Sequence, residues 1–422
     1  MEWVAFNLRQ IEDPNQVRAF RGGESMKILI LGGAGLMAEA IEKDLLEFDT
    51  NEVSRITLAD INNEGLNKRI EELQSPKVIP ALIDASEHDA LVKLIKGHDV
   101  VVNTTPMTLP PARAALEAGV NFIGLVGVDL PRAAPGAPLN EIGIPTEEFK
   151  DQLDKEFKRA GITGIMGLGA MPGISNVLAE YFAKKLDTIE SVEFSYVHLS
   201  LSKTKTIFPF NPPGIIGQYT REPVILREGK LVRVPPRSGR EIILYPEPIG
   251  KREVFNVLHE EPIALYKSFR GRGLKNACTK AGWDLQLLNK LELLDSLGLL
   301  DFQPRKVGEV TVVPERVLES GLTFEKVTPH DYGCLRFVGR GEKDGQKLEY
   351  TAELFCGPYK ELSGTQHRTG TSAAVGVRML GRQQIKRKGA FTPEVGVDPE
   401  IFFKELARRE LRVSYTVKHL VA

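Results

Sequence analysis

Residues 26–38 read MKILILGGAGLMA, and residues 55–62, one helix further on, read RITLADIN. Lys27–Leu31 is an apolar run of strand length. It passes directly into Gly33-Ala34-Gly35-Leu36-Met37-Ala38, a GxGxxA turn opening an Ala/Leu-rich helix to about Glu47. The spacing predicts that Gly33 permits the tight turn and Gly35 lets backbone approach a pyrophosphate. Leu36 and Met37 present free N–H groups to that anion at the helix start, and Ala38 keeps helix and strand close. Asp60, followed by Ile61, ends the second strand. A carboxylate there accepts hydrogen bonds from the ribose hydroxyls of NAD and repels the extra phosphate of NADP.

Working outward, short apolar strands alternate with helices: Arg55–Ala59, Val78–Ile83, Asp99–Val102, Asn121–Val126 and Ile162–Leu168. Ser86 with Asp89 reads as a capping-box start, Pro110-Pro111 opens a helix and Gly119 ends it. The pattern predicts an α/β fold, a Rossmann-type doubly wound parallel sheet. Two more strand ends face the expected cofactor path, Asp84-Ala85 beside the adenine and Asn103-Thr104-Thr105-Pro106 beside the nicotinamide half. Leu130–Pro145, rich in Pro and Gly, is long enough for a lid or binding loop.

Beyond Asp187 the texture changes. Val192–Leu199, Val224–Leu226, Leu231–Val234 and Glu241–Leu244 read as strands. Leu335–Gly341 and Lys347–Cys356 flank Asp344-Gly345, a strong hairpin signal. We expect an antiparallel domain with a helical insert around Leu285–Leu300, whose extended sheet dimerises. Thr371–Leu380, Pro399–Glu410 and Arg412–Val417 close the chain as helix, helix and strand.

Composition narrows the function classes. The 422 residues are 42% hydrophobic and 26% charged with a formal net charge of −1, which gives no field to gather polyanions and argues against nucleic acid. No apolar run reaches membrane-span length, and the N-terminus lacks a signal-peptide core. Three widely spaced cysteines, Cys278, Cys334 and Cys356, suit a reducing cytoplasmic compartment better than a disulfide framework. The histidines show no metal-ligand spacing, so no metal site is expected. Tyr181 and Lys185 form a YxxxK pair, but the segment reads as an amphipathic core helix. Residues 1–25 lack periodicity, and codons for Gly22-Gly23-Glu24 would resemble a ribosome-binding site. We therefore read Met26 as the native start.

LGGAGLMA, DVVVNTTP, AGITGIMGLGAMPGISNVLAEY and RTGTSAAVGVRML together resemble the saccharopine dehydrogenase-like family, most of all its lysine 6-dehydrogenase branch. The resemblance implies a dinucleotide domain at 26–186, an inserted α+β substrate and dimerisation domain at 187–365, and a segment 366–422 packing back on the first. It also implies a homodimer with a small amino-acid substrate. The implied chemistry is hydride exchange between nicotinamide and a carbon bearing nitrogen. For the lysine branch this is oxidative deamination of the terminal amine. The alternatives are reductive condensation of the saccharopine or carboxynorspermidine type, or NAD binding without turnover. Asp129, and then His259 with Glu260 in the cluster His259-Glu260-Glu261, are the candidates for proton handling, and Arg221 for holding a substrate carboxylate. Saccharopine-forming relatives carry Ser/Arg where this chain has Asp60-Ile61, which favours NAD as cofactor.

Overall fold

The computed structural model describes residues 4–5, 25–127, 147–201, 208, 210–321 and 331–420. Asp129, the 130–145 stretch and nearly all of the N-terminal extension lie outside these. Val4 and Ala5 pair with Tyr415 and Ser414 at a sheet edge.

Six parallel strands, Met26–Leu31, Val53–Asp60, Val78–Leu82, Val100–Asn103, Asn121–Gly124 and Thr163–Met166, stand in the order 3-2-1-4-5-6. A seventh, Gly389–Phe391, pairs in parallel with Thr163–Ile165. Such strands are covered on both faces, so they read as unbroken apolar runs: Ile28 to Leu31 are at most 1% exposed. The order reverses between Met26–Leu31 and Val100–Asn103, which opens a crevice at their carboxyl ends.

The second sheet has ten strands. Its core is the hairpin Asp331–Lys343 and Gln346–Cys356, with Asp344 (φ 51°) and Gly345 (φ 75°) at the turn. Both positive φ values are what a two-residue hairpin turn requires. Expectation and structure part at one pairing. Asn276–Gly282 runs parallel to Thr188–Ser200, so the sheet is mixed rather than antiparallel. The chain makes that crossover through the helices Pro212–Thr220 and Glu261–Phe269.

The C-terminal stretch divides between the two sheets, a correction to its expected return to the first alone. Gly389–Phe391 joins the first sheet, whereas Val413–Leu420 pairs with Gln346–Cys356 in the second. Between them the helix Pro399–Ala407 packs on the helix Gly364–Gly381. The latter crosses the helix Leu36–Glu47 so closely that a Cβ on Gly370 would lie 2.5 Å from the Ala40 Cβ. A buried ion cluster fastens the same contact. Arg409 pairs with Asp44 through two nitrogens and with Glu405 at 2.8 Å, and Arg382 bridges Asp49, Glu52 and Glu405. Tyr181 of the YxxxK pair packs edge-on against Phe182 and Phe403 in this core, with Lys185 over its ring.

Candidate active site

A cleft of about 820 Å³ opens at the strand-order reversal, between the two sheets. A second, more polar trough of about 1650 Å³ lies at the amino ends of the strands, beside Lys27 and Asp99, away from the glycine turn. The chemistry concentrates in the first. The cleft brings together Gly35, Leu36, Met37, Asp60, Ile61, Asp84, Ala85, Thr104, Thr105 and Pro106 on one side, and Arg221, His259 and Glu260 on the other.

The glycine turn is built as a cradle. Gly32, not Gly33, takes the left-handed conformation (φ 80°), and a Cβ there would fall 2.4 Å from the Thr104 hydroxyl. Gly33 instead abuts the second strand, where a Cβ would meet Leu58 at 2.8 Å, so it supports the turn without lining the cleft. The Asp60 carboxylate accepts from Ala34 N at 3.0 Å and from Asn62 N at 2.9 Å. It thereby ties the turn to the strand end while remaining on the cleft wall. Asn103 is fully buried and also serves as support: its side chain donates to the Met107 carbonyl at 2.7 Å and accepts from the Thr105 hydroxyl at 2.8 Å. Thr104 clips the turn by donating to Leu31 O at 2.8 Å. Ser86, expected as a cap, instead donates to Asp84. Those bonds from the Ser86 backbone and hydroxyl hold the exposed Asp84 carboxyl below its usual range.

This wall fits a nicotinamide dinucleotide. Gly32 and Gly35 leave no side chain beside the start of the helix Leu36–Glu47, whose Leu36 and Met37 line the cleft, and Asp60 lies on the same wall at its strand end, a position from which a carboxylate can accept from ribose hydroxyls. Among the described lining residues the only arginines are Arg221 and Arg368. Among the described residues no group of three or more His, Cys, Asp or Glu side chains is placed to hold a metal ion, and no helix is long and apolar enough to cross a membrane.

The opposite wall carries a buried acid–base group. His259, 9% exposed, bonds through Nδ1 to Oε2 of the fully buried Glu261, and its ring meets Tyr196 edge-on at 6.0 Å. Ser175 donates to Glu261 Oε1 at 2.9 Å, and Thr279 donates to Oε2 at 3.4 Å. Burial opposes the imidazolium, but the adjacent Glu261 charge and hydrogen bond outweigh it and raise the His259 pKa. Burial equally opposes the Glu261 carboxylate, yet its bonds from His259 and Ser175 bring its pKa below the usual value. The sequence singled out the cluster His259-Glu260-Glu261 and took His259 and Glu260 from it; in the structure the carboxylate that meets His259 is Glu261. Glu260 packs its carboxylate where a Cβ on Gly127 would stand.

Arg221 lines the cleft, but its guanidinium is already engaged. It pairs with buried Glu315 at 2.6 Å and stacks over Phe302 at 3.7 Å. Sequence reading also missed Arg368 and Thr365 on the helix Gly364–Gly381, although the RTGTSAAVG segment holding Arg368 was singled out. Both side chains line the cleft.

The saccharopine dehydrogenase NADP binding domain model matches residues 28–165, and the saccharopine dehydrogenase C-terminal domain model matches residues 169–411. A carboxyaminopropylagmatine dehydrogenase of Synechocystis is 26% identical over 91% of this chain and 96% of its own. A carboxynorspermidine synthase of Vibrio alginolyticus is 24% identical over 90% of this chain and 94% of its own. Among solved structures, the apo saccharopine dehydrogenase (L-Glu forming) of Saccharomyces cerevisiae shares the fold, with a TM-score of 0.67 over 94% of this chain and all of that one, at 14% identity.

Proposed function

We propose, from the premise that this chain belongs to the saccharopine dehydrogenase family and is an NAD(P)-binding oxidoreductase, that it joins an amino-acid aldehyde to a primary amine by reducing the imine between them. One observation carries this reading over oxidative deamination of lysine. Two relatives aligned over at least nine-tenths of this chain are named for carboxyaminopropylagmatine and carboxynorspermidine, and neither for a lysine deaminase.

The amine adds to the aldehyde carbon to give a carbinolamine, which loses water to form the imine. A hydride and a proton then give the secondary amine. Bound in reduced form, the nicotinamide supplies the hydride. His259, held protonated by Glu261, gives its proton to the carbonyl oxygen as the amine attacks, takes up the proton that the adduct nitrogen sheds, and returns it to the hydroxyl as water departs. Glu261, locked by Ser175 and Thr279, fixes the imidazole so that Nε2 is the ring nitrogen left for substrate. Leu335, Met171 and Pro172 line the cleft with apolar surface that limits water around the imine.

The deciding assay mixes the full chain with aspartate semialdehyde, a diamine such as 1,3-diaminopropane, and NADH or NADPH. Expected is loss of reduced cofactor with a secondary amine detected by mass spectrometry. Ammonia release from lysine with NAD and no coupled product sinks the reading.

Asp60 supports NAD over NADP, because a 2′-phosphate would be placed against its carboxylate. Asp60→Ser is expected to raise the NADPH-to-NADH ratio of kcat/KM by roughly tenfold or more, on the order of one charge-assisted hydrogen bond plus one relieved repulsion. An unchanged ratio in cofactor titrations contradicts this role.

A further inference from the structure

We propose that Arg368, with the hydroxyl of Thr365, is the subsite that recognises the carboxylate of the amino-acid aldehyde; this rests on the coupling reaction proposed above. The argument begins with charge accounting. Arg368 is 5% exposed and lines the cleft. Other buried arginines of the chain meet carboxylates: Arg221 has Glu315, Arg409 has Asp44 and Glu405, and Arg69 has Glu39 and Glu42. Among the described residues Arg368 meets none. Its nearest polar partner is the Cys356 sulfur, 3.7 Å from Nη1. Burial keeps that thiol in its neutral form, so it does not compensate the charge. A guanidinium withdrawn from water without a counter-anion is costly, and a cleft-lining one is satisfied by an anionic ligand.

Two features show that the position is built. Gly333, on the facing strand Asp331–Lys343, has no side chain; a Cβ there would lie 2.4 Å from Arg368 Nη1. The guanidinium therefore occupies space that only glycine leaves open. One helical turn before it, Thr365 is also 5% exposed and lines the cleft, and its Oγ1 has no hydrogen-bond partner. Residues i and i+3 share a helix face, so the unpartnered hydroxyl lies on the same side of the helix as the guanidinium. A planar two-donor fork beside a hydroxyl suits a carboxylate.

The anion has two possible sources, the substrate carboxylate or the cofactor pyrophosphate. The neighbours favour the first. Gly333 and Cys356 belong to the second sheet, as does Tyr196, whose hydroxyl feels the Arg368 charge and whose ring meets His259. The helix face nearest the glycine turn is instead the one bearing Gln366 and Gly370, with Gln366 donating to Leu36 O at 3.2 Å.

Two arms test the proposal. In the kinetic arm, aspartate semialdehyde is compared with 3-aminopropanal, which lacks only the carboxylate, at saturating amine. Wild type is expected to prefer the carboxylate-bearing aldehyde about 100-fold or more in kcat/KM, and Arg368→Gln to lose most of that preference with the KM for NADH unchanged. In the binding arm, calorimetry of the NAD-loaded protein compares 2,4-diaminobutyrate with 1,3-diaminopropane. It reads the subsite even if the coupling reaction is wrong. Arg368→Gln removes the difference between the two ligands, and Thr365→Ala and Gly333→Ala reduce it. An intact NADH affinity certifies each fold. A raised KM for NADH with the carboxylate preference retained assigns Arg368 to the cofactor and overturns the proposal. No preference in either wild-type arm does so as well.

Discussion

Exchanging His259 for Gln lowers kcat by about 10²–10⁴-fold, the usual worth of a placed proton donor, while the KM for NADH stays within error. Glutamine keeps a hydrogen bond to Glu261, so the loss reports proton transfer rather than a disordered wall. The companion change, Glu261→Gln, separates the donor from the residue that tunes it. In the wild type, burial lowers the imidazole pKa and the Glu261 charge more than restores it. With that charge removed, only the smaller effect of the Glu260 charge still opposes burial, and the pKa falls. The form active as an acid lies below the pKa, so the alkaline limb of the kcat/KM–pH profile moves to lower pH in Glu261→Gln. A profile that keeps its limb while activity drops would mean that another group carries the proton.

Replacing Arg409 by Met destabilises the chain by about 3–5 kcal/mol, because it leaves the buried Asp44 carboxylate with only Arg378, 3.6 Å away, to balance it. Asp44 loses both of its bonds to the guanidinium, and Glu405 loses one. Urea titration measures the loss. Pairing the change with Asp44→Asn should recover part of it, since the uncompensated charge is then gone. Full additivity of the two changes would show that Arg409 and Asp44 do not act on each other. The contact joins positions 365 residues apart in sequence, so its loss also loosens the helix that begins at the glycine turn.

The dinucleotide half was legible because its signals are local. GxGxxA, the acid at 60 and apolar runs of strand length each follow from a few neighbouring residues. So does the hairpin, where Asp344-Gly345 determines the turn by itself. What escaped depends on distant partners. Gly389–Phe391 is three residues long and is a strand only because the Thr163–Met166 edge stands ready to receive it. The parallel pairing of Asn276–Gly282 depends on which strand of the second sheet it lands beside. Arg368 reads as one more helical arginine until Gly333, from another strand, is seen to make room for it. Gly32 takes the turn expected of Gly33, because adjacent glycines look alike in sequence and only the backbone path shows which one bends.

The closing strand of the first sheet has a consequence for how the molecule is made. Thr163–Met166 leaves the ribosome roughly 225 residues ahead of its partner Gly389–Phe391, an interval of about 10–45 s at ordinary elongation rates. Throughout that time the nascent sheet has an open flank, able to pair with any extended peptide nearby. Fast, crowded expression should therefore yield inclusion bodies more readily than slow expression at low temperature, and a chain cut short before residue 389 should aggregate.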